Sequence, residues 1–302
     1  MEEHPLIEQG YIPFDKSWII RMVVLDLLDS REDTASFLAP LAKKRELSDD
    51  VEASYVAYKQ WKAGFRHICV GESGTLYRFL KFASWALGLE KEFMLEGTLI
   101  ERAEEMHSNP EIINWHPEKL LTLDNRTSQY ASVSYLMGLT DKIENPPYKL
   151  QVSYDAVEHW KQKRAKGEMW EPRYDKTLEA QAEAYLELLK TGKIIFEPEQ
   201  AEDYCFARAF NLATKEEGEF KWPSLRGHET DRIEEMENAL KEYHAGRIIE
   251  STDHRIVQAI AMLMKKENKE LGIEEVKARF KNPLAVNKSW PQFWKFLFKY
   301  NL

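Results

Sequence analysis

Two helix starts in the C-terminal third of the chain carry residues that can bind an anion. Residues 227–232 read GHETDR and residues 252–255 read TDHR, and each run precedes a segment with helical apolar periodicity. A helix N-terminus presents unpaired N–H groups and the positive end of the helix dipole. Arginine adds a planar fork that fits a carboxylate or a phosphate. The sequence therefore predicts a site for a small, multiply charged anion.

Three further helix starts combine small polar residues with a cation or an amide. They are residues 16–21 (KSWIIR), 72–78 (ESGTLYR) and 127–129 (TSQ). Serine and threonine are ordinary N-cap residues, so capping explains each of them when taken alone. A lysine or arginine in a first turn, however, opposes the helix dipole. An anion held between the helix end and the cation resolves that conflict, which makes these cations functional candidates.

Nine short motifs follow one another between residues 13 and 293 in the order found in one enzyme family. They are residues 13–21 (PFDKSWIIR), 47–51 (LSDDV), 71–78 (GESGTLYR), 101–102 (ER), 127–129 (TSQ), 147–148 (PY), 229–232 (ETDR), 253–255 (DHR) and 288–293 (KSWPQF). In these motifs the chain resembles the 5-enolpyruvylshikimate-3-phosphate synthases, which are enolpyruvyl transferases. The resemblance implies transfer of the enolpyruvyl group of phosphoenolpyruvate to the 5-hydroxyl of shikimate 3-phosphate. Phosphate is released, and the reaction belongs to aromatic amino-acid biosynthesis.

The fold that this resemblance implies is α/β (α+β), with two domains of repeated β-α-β-α-β-β units whose helices converge on a cleft. One domain would span residues 14–190, including a divergent helical stretch at 155–190. The other would combine residues 1–13 with residues 191–302. One unit is expected to be missing or replaced, because the family's middle motifs are absent between Tyr148 and Glu199.

Periodicity in the sequence predicts alternating helices and strands. Helical spacing of apolar residues covers 17–28, 49–62, 76–87, 128–139, 177–190, 201–213, 229–243, 254–265 and 290–299. Short apolar runs predict strands near 67–70, 92–96, 119–123, 149–153, 193–196, 219–222 and 246–249. Alternation of this kind indicates α/β layers.

The resemblance also implies a role for each matched residue. The expected catalytic residues are Glu199, Glu229 and Lys288, with Lys288 and Glu229 handling the proton and Glu199 acting as the base. The residues expected to hold phosphoenolpyruvate are Lys16, Arg102, Arg232, Arg255 and Lys288, and His254 belongs to the same substrate-binding set. Those expected to hold the acceptor are Arg21, Ser17, Thr127, Ser128, Gln129 and Tyr148. Gly74, which has no Cβ, would let the backbone approach the ligand.

The matched motifs depart from the family pattern mainly on the acceptor side. Glu199 stands where the family has its catalytic aspartate, and a displacement of about 1 Å can cost about 100-fold in rate. His228 replaces a lysine and Asn145 replaces a serine. Two alternatives therefore stay open: an enolpyruvyl transferase for another hydroxyl acceptor, and a non-catalytic paralogue that binds an anion. Glu199 also has a structural interpretation, as a first-turn acid that follows a proline.

Composition narrows the remaining classes of function. The chain has 302 residues and a net charge of −9, which disfavours a general nucleic-acid-binding protein. Cys69 and Cys205 lack the spacing of a disulfide framework or a metal site, so core thiols, no metal and no cofactor are expected. Residues 1–15 do not read as a signal peptide, and no apolar run reaches the length of a membrane span. The sequence predicts a cytoplasmic monomer whose partners are small anionic substrates, with no nucleic acid and no membrane.

Overall fold

The computed structural model describes residues 4–29, 40–43, 45–100, 115–123, 128–226 and 231–300. The chain divides into two units. The inserted unit is Phe14–Arg173, and the terminal unit is Met1–Pro13 together with Tyr174–Leu302. The chain passes back from the inserted unit to the terminal unit between Arg173 and Tyr174, whereas the sequence predicts this boundary after residue 190.

Helices account for most of the elements in both units. The terminal unit begins with α1 (Pro5–Glu8). The inserted unit contains α2 (Lys16–Leu28), α3 (Asp49–Lys62), β1 (His67–Gly71), α4 (Gly74–Ala86), β2 (Glu92–Leu95), α5 (Pro117–Leu123), α6 (Gln129–Leu136) and α7 (Tyr148–Ala165). The terminal unit resumes with α8 (Lys176–Thr191), α9 (Tyr204–Ala209), α10 (Lys215–Lys221), α11 (Arg232–His244), α12 (His254–Glu267), α13 (Ile273–Lys277) and α14 (Phe293–Lys299). It also contains 3-10 turns at Ala201–Asp203, Pro223–Leu225 and Pro283–Lys288. Among the described helices, none is long and apolar enough to cross a membrane.

Strands β1 and β2 form the one sheet of the described chain. They are parallel and are joined through α4 in a single β-α-β unit. Ile68 pairs with Phe93, and Gly71 pairs with Leu95 after a shift in register. The expected α+β class is therefore confirmed as a helix-rich fold with a small parallel sheet.

Three predicted strands are wrong, because the segments are helical. Residues 119–123 lie in α5, residues 149–153 lie in α7, and residues 219–222 coincide with the end of α10. A short apolar run does not distinguish a strand from one turn of a buried helix. Local start signals decide these cases: α5 begins at a proline, and α10 follows a capping box formed by Thr214 and Glu217.

Two further predicted strands are only partly realised. Residues 193–196 are non-helical but belong to no sheet of the described chain, and the run at 246–249 contributes an isolated bridge between Ile249 and Phe280. The helix predictions agree well, since 49–62 matches α3 and 177–190 matches α8 to within one residue at each end. Helical periodicity extends over many residues and is therefore a stronger signal than a short apolar run.

Helix α2 is the centre of the inserted unit. Its residues from Trp18 to Leu27 are all buried, which is typical of a helix that is covered on every side. The buried carboxylate of Asp26 accepts hydrogen bonds from the indole Nε1 of Trp160 (2.7 Å) and of Trp170 (2.6 Å). These two bonds fasten α7 and the segment that follows it onto α2.

Helix α12 is the centre of the terminal unit, as α2 is of the inserted unit. It packs against α9, α11 and the 3-10 turn Pro283–Lys288. The buried rings of Trp290 and Phe296 stack with their centroids 5.1 Å apart. Trp290 Nε1 also donates to the carbonyl of Tyr11 at 2.7 Å, which ties the N-terminal segment to this core. Trp290 and Phe296 are therefore part of the core of the terminal unit.

Replacing Asp26 by alanine is expected to destabilise the inserted unit by about 2–4 kcal/mol, because the buried indole N–H of Trp170 and the half-buried one of Trp160 lose their acceptor. Chemical unfolding followed by tryptophan fluorescence measures the change. Asp141→Ala, which removes an exposed carboxylate of the same unit, is the control and should stay within about 0.5 kcal/mol of the parent protein. Equal losses in the two variants would contradict the role given to Asp26.

Candidate anion-binding sites

Side chains in the first turns of several helices bridge to one another in the inserted unit. Lys16 Nζ donates to Asp50 Oδ2 at 2.7 Å and so joins the starts of α2 and α3. Gln129 Oε1 accepts from Arg78 at 2.6 Å, and Gln129 Nε2 donates to Thr75 Oγ1 at 3.0 Å. These two bonds join the starts of α4 and α6. The motif residues Lys16 and Gln129 thus each link two helix starts.

The guanidinium of Arg21 connects the remaining starts. It is 1% exposed and lies 5.4 Å from the centroid of the Phe79 ring on α4. It donates to Ser17 O (2.8 Å), Ser153 Oγ (2.7 Å), Lys149 O (2.8 Å) and Ser132 Oγ (3.4 Å). Because these oxygens belong to α2, α6 and α7, Arg21 draws the starts of the three helices together. The residue expected to hold the acceptor is thus bound by oxygens of the protein itself.

Lys149 is a candidate that sequence reasoning missed. Its ammonium donates to Ser17 Oγ at 3.2 Å and lies 5.1 Å from the centroid of the half-exposed Tyr148 ring. Ser17 and Tyr148, which the sequence assigns to the acceptor, are therefore brought to the same cation. The signal was available, since Lys149 directly follows the PY motif.

Two serine hydroxyls at helix starts are buried and lack a hydrogen-bond partner among the described residues. They are Ser48, the N-cap residue of α3, and Ser73, the N-cap residue of α4. Neither makes the side-chain capping bond that its position allows. Gly74, the next residue, is buried as the first residue of α4, and Ser128 is buried just before α6. Free hydroxyl capacity at a helix start suits the oxygens of an anion.

Acidic groups share this region of the inserted unit. Burial, followed by the charges of Asp50, Glu52 and Glu72, raises the pKa of Asp49, while Lys16 opposes the shift. Glu72 is held in place, because its Oε1 accepts from the Thr98 amide at 3.0 Å. The region thus combines cations, hydroxyls and helix starts with several carboxylates.

In the terminal unit, a protein carboxylate occupies the place predicted for an anion. Asp253 Oδ1 accepts from the Arg255 amide at 2.8 Å, which caps α12. Asp253 Oδ2 accepts from Arg232 Nε at 2.8 Å, in the first turn of α11. The cation that opposes the dipole of α11 is therefore compensated by the N-cap residue of the next helix. The sequence contains this residue within the DHR motif but does not reveal that its carboxylate reaches Arg232.

The titration of Asp253 reflects that environment. Burial by itself would raise its pKa, but the charges of Arg232 and His254, together with the two hydrogen bonds, hold the pKa well below its ordinary value. The neighbouring Cys205 is fully buried, and burial raises the pKa of its thiol to about 12. Cys205 is therefore a core thiol and not a nucleophile.

The carboxylate beside Arg255 lies farther from the guanidinium than the carboxylate beside Arg232 does. Arg255 Nη1 donates to the Glu202 carbonyl at 3.4 Å, and Arg255 Nη2 lies 3.8 Å from Glu202 Oε1. Charge-assisted bonds are ordinarily about 2.7–2.9 Å long, so the carboxylate contact is an ion pair without a close hydrogen bond. Nothing in the sequence pairs Glu202 with Arg255, because the two residues are 53 positions apart.

The other candidate residues of the terminal unit differ in their exposure and in their contacts. Glu199 has an exposed side chain, and its amide donates to Asp203 Oδ2 at 3.1 Å. His254 is buried, with Nδ1 4.0 Å from Asp253 Oδ1. Lys288 is half-buried and precedes Ser289, whose hydroxyl accepts from Gln258 of α12 at 3.2 Å. Arg102, Thr127 and Glu229 lie outside the described residues.

One group of described residues has the composition of a metal site: His4, Glu179 and Glu183. Both nitrogens of His4 are already engaged, however. Nδ1 accepts from the Leu6 amide at 3.3 Å, as the N-cap of α1, and Nε2 lies 2.6 Å from Glu183 Oε1. If Nδ1 accepts, the neutral ring carries its proton on Nε2 and donates it to Glu183. The cluster is therefore explained as a hydrogen-bonded anchor of the N-terminal segment.

Replacing Asp253 by asparagine is expected to destabilise the terminal unit by about 1.5–3 kcal/mol at pH 7, because the charge-assisted hydrogen bond from Arg232 Nε loses its carboxylate acceptor. A carboxyl whose pKa falls on folding stabilises the protein above its unfolded pKa, near 3.9, and loses that contribution as the pH falls toward the folded value. The difference between parent and variant should therefore shrink below about pH 4. Urea unfolding at pH 7 and pH 3 measures it.

The control is Glu250→Gln, because Glu250 pairs with Lys281 at 2.7 Å on the surface, where both side chains are at least 60% exposed. That variant should change the stability by less than about 1 kcal/mol. A loss of stability in Glu250→Gln as large as that in Asp253→Asn would contradict the role given to Asp253. So would a difference between the parent protein and Asp253→Asn that does not depend on pH.

Comparison with known proteins adds no family assignment. No protein-family model matches the chain, and no curated protein or solved structure shows significant similarity to it. The likeness to the enolpyruvyl transferases therefore rests on the short motifs and on the chemistry of the residues within them.

Proposed function

We propose that the chain is an enolpyruvyl transferase of the shikimate-phosphate type, with the two-domain fold of that family in a reduced form. It would transfer the enolpyruvyl group of phosphoenolpyruvate to the 5-hydroxyl of shikimate 3-phosphate and release phosphate. The observation that carries the proposal is the linkage of five helix starts in the inserted unit, those of α2, α3, α4, α6 and α7. Their positive dipole ends and the hydroxyls of Ser48 and Ser73 suit a ligand that bears several negative charges.

The reaction needs two kinds of group, and the motifs supply both. A proton must reach the methylene carbon of phosphoenolpyruvate while the acceptor hydroxyl loses one, so that its oxygen can bond to the neighbouring carbon. The resulting adduct then loses a proton from its methyl group as the bond to phosphate breaks, which restores the double bond and releases phosphate. Lys288 and Glu229 are the proposed pair for the first task, and Glu199 is the proposed base for the second. Cations must also balance the phosphate and the carboxylate, and Lys16, Arg102, Arg232 and Arg255 are proposed for that role.

A different hydroxyl acceptor is the second candidate, and one contact favours it. Arg21, the cation assigned to the acceptor, is buried and bound by four oxygens of the protein. Lys149 is then the cation beside Ser17 and Tyr148. If Lys149 rather than Arg21 contacts the acceptor, the acceptor is expected to differ from shikimate 3-phosphate.

A non-catalytic anion-binding role is the third candidate. Lys16, Arg232 and Arg255 each lie against a carboxylate of the protein. The exposed side chain of Glu199 makes no hydrogen bond or ion pair with a described residue. Paired cations and an unsupported base are features of a protein that binds an anion without turning it over.

Phosphate release from phosphoenolpyruvate distinguishes the three candidates, first with shikimate 3-phosphate and then with a panel of other alcohols. Release with shikimate 3-phosphate supports the proposal, and release only with another alcohol identifies a different acceptor. Binding of phosphoenolpyruvate without release indicates the non-catalytic role. If the protein neither binds phosphoenolpyruvate nor releases phosphate, all three candidates are wrong.

For an active protein, Glu199→Gln should lower turnover by about 10²–10⁴-fold with unchanged binding, because the amide cannot accept the proton. Glu197→Gln is a matched change two residues away and should leave turnover unchanged.

Replacing Glu202 by glutamine is expected to tighten phosphoenolpyruvate binding about tenfold, because the loose ion pair with Arg255 no longer competes with the ligand. Arg255→Ala should weaken binding by a similar or larger factor, since a hydrogen bond to a charged group is worth about 1.5–3 kcal/mol. Calorimetric titration measures both. Glu197→Gln is again the control for the change in net charge. Equal affinities of the two glutamine variants would show that Glu202 does not compete for Arg255.

A further inference from the structure

One segment of the terminal unit lies in neither a helix nor a sheet of the described chain. Residues 193–197 read KIIFE and lie between α8 and the 3-10 turn Ala201–Asp203. From residue 194 to residue 197, no backbone N–H or C=O is hydrogen-bonded to a described residue. A row of unpaired main-chain groups on an extended segment is a template for pairing with another strand.

The side chains of this segment alternate as they do in a half-buried strand. Ile194 and Phe196 pack against the core of the terminal unit, and the Phe196 ring lies 5.0 Å from the ring of Phe206. Ile195 points the other way and is 80% exposed. One face is thus fixed on the core, which sets the orientation of the segment, while the other face presents a large apolar side chain to solvent.

The segment is complementary to a second copy of itself. In an antiparallel pair centred on Ile195, that residue lies opposite the same residue of the second copy. Lys193 then lies opposite Glu197, and Ile194 opposite Phe196. Lys193 and Glu197 are exposed and form no ion pair with a described residue, so their charges are available. Opposite charges across a strand pair are favourable, whereas an in-register parallel pair would set Lys193 against Lys193.

We propose that the chain forms a symmetric dimer through antiparallel pairing of residues 193–197. The pairing satisfies main-chain groups of both copies, covers Ile195 and forms two Lys193–Glu197 ion pairs related by the two-fold axis. Five residues on each side bury less than the roughly 1,200 Å² of a standard interface, so the dimer is weak. Its dissociation constant falls on the order of 10–100 μM. The inference is independent of the proposed function and replaces the monomer that the sequence predicts.

Sedimentation equilibrium between about 1 and 300 μM tests the dimer. The parent protein should pass from its monomer mass of 35.5 kDa toward twice that value. Ile195→Lys should remain monomeric over the whole range, because it places like charges at the two-fold axis. Leu284→Lys is the matched control, since Leu284 is a 61% exposed apolar residue of the same unit, and it should dimerise like the parent. A parent protein that stays monomeric throughout would overturn the proposal, as would a control that fails to dimerise.

Charge exchange tests the register. Lys193→Glu and Glu197→Lys should each weaken the dimer about tenfold or more, because each sets two like-charged pairs across the strands. The double variant restores opposite charges at both positions and should recover the affinity of the parent. These residues are exposed, so the fold tolerates the changes, and circular dichroism checks this. Failure of the double variant to recover would overturn the antiparallel register centred on Ile195.

Discussion

A buried or half-buried cation near the start of a helix needs an oxygen partner, and both units are organised around that requirement. Arg21 finds its partners in Ser132, Lys149 and Ser153, and so draws the starts of α6 and α7 onto α2. Arg232 finds its partner in Asp253, the N-cap residue of the next helix. Burial makes such partners obligatory, because an unpaired buried charge costs about 3–5 kcal/mol. The helix starts that a ligand would use are therefore the same ones that hold each unit together.

The helices of this fold could be predicted from the sequence far better than its strands. An amphipathic helix repeats its apolar pattern over three or four turns, and α3 and α8 were recognisable for that reason. Residues 149–153 read LQVSY, which fits a short strand equally well when taken alone. What makes them helical is their position in α7, which packs along α2 and α6 through contacts distant in sequence. Short runs carry no information about such neighbours.

Candidate residues that lie in motifs could be named from the sequence, whereas the partners that the fold gives them could not. Asp50 pairs with Lys16 across 34 positions, and Glu202 faces Arg255 across 53. Spacing along the chain gives no indication of which carboxylate a fold will place opposite a cation. Asp253 is the exception, because an N-cap aspartate directly before a helix is a recognisable signal. Its second bond, to Arg232, still depends on how two helices pack.

The cations of the proposed site differ in what an incoming anion must displace. To reach Arg232, a ligand has to displace Asp253, which would also uncap α12 and leave the Arg255 amide without this acceptor. To reach Arg255, it has only to displace a carboxylate 3.8 Å away, and the guanidinium stays oriented by the Glu202 carbonyl. An intramolecular carboxylate competes at a high effective concentration, so a singly charged ligand gains little by replacing it. A ligand that carries a phosphate as well as a carboxylate has more negative charge to offer, so under the proposed function phosphoenolpyruvate would compete for Arg255 better than a simple carboxylic acid.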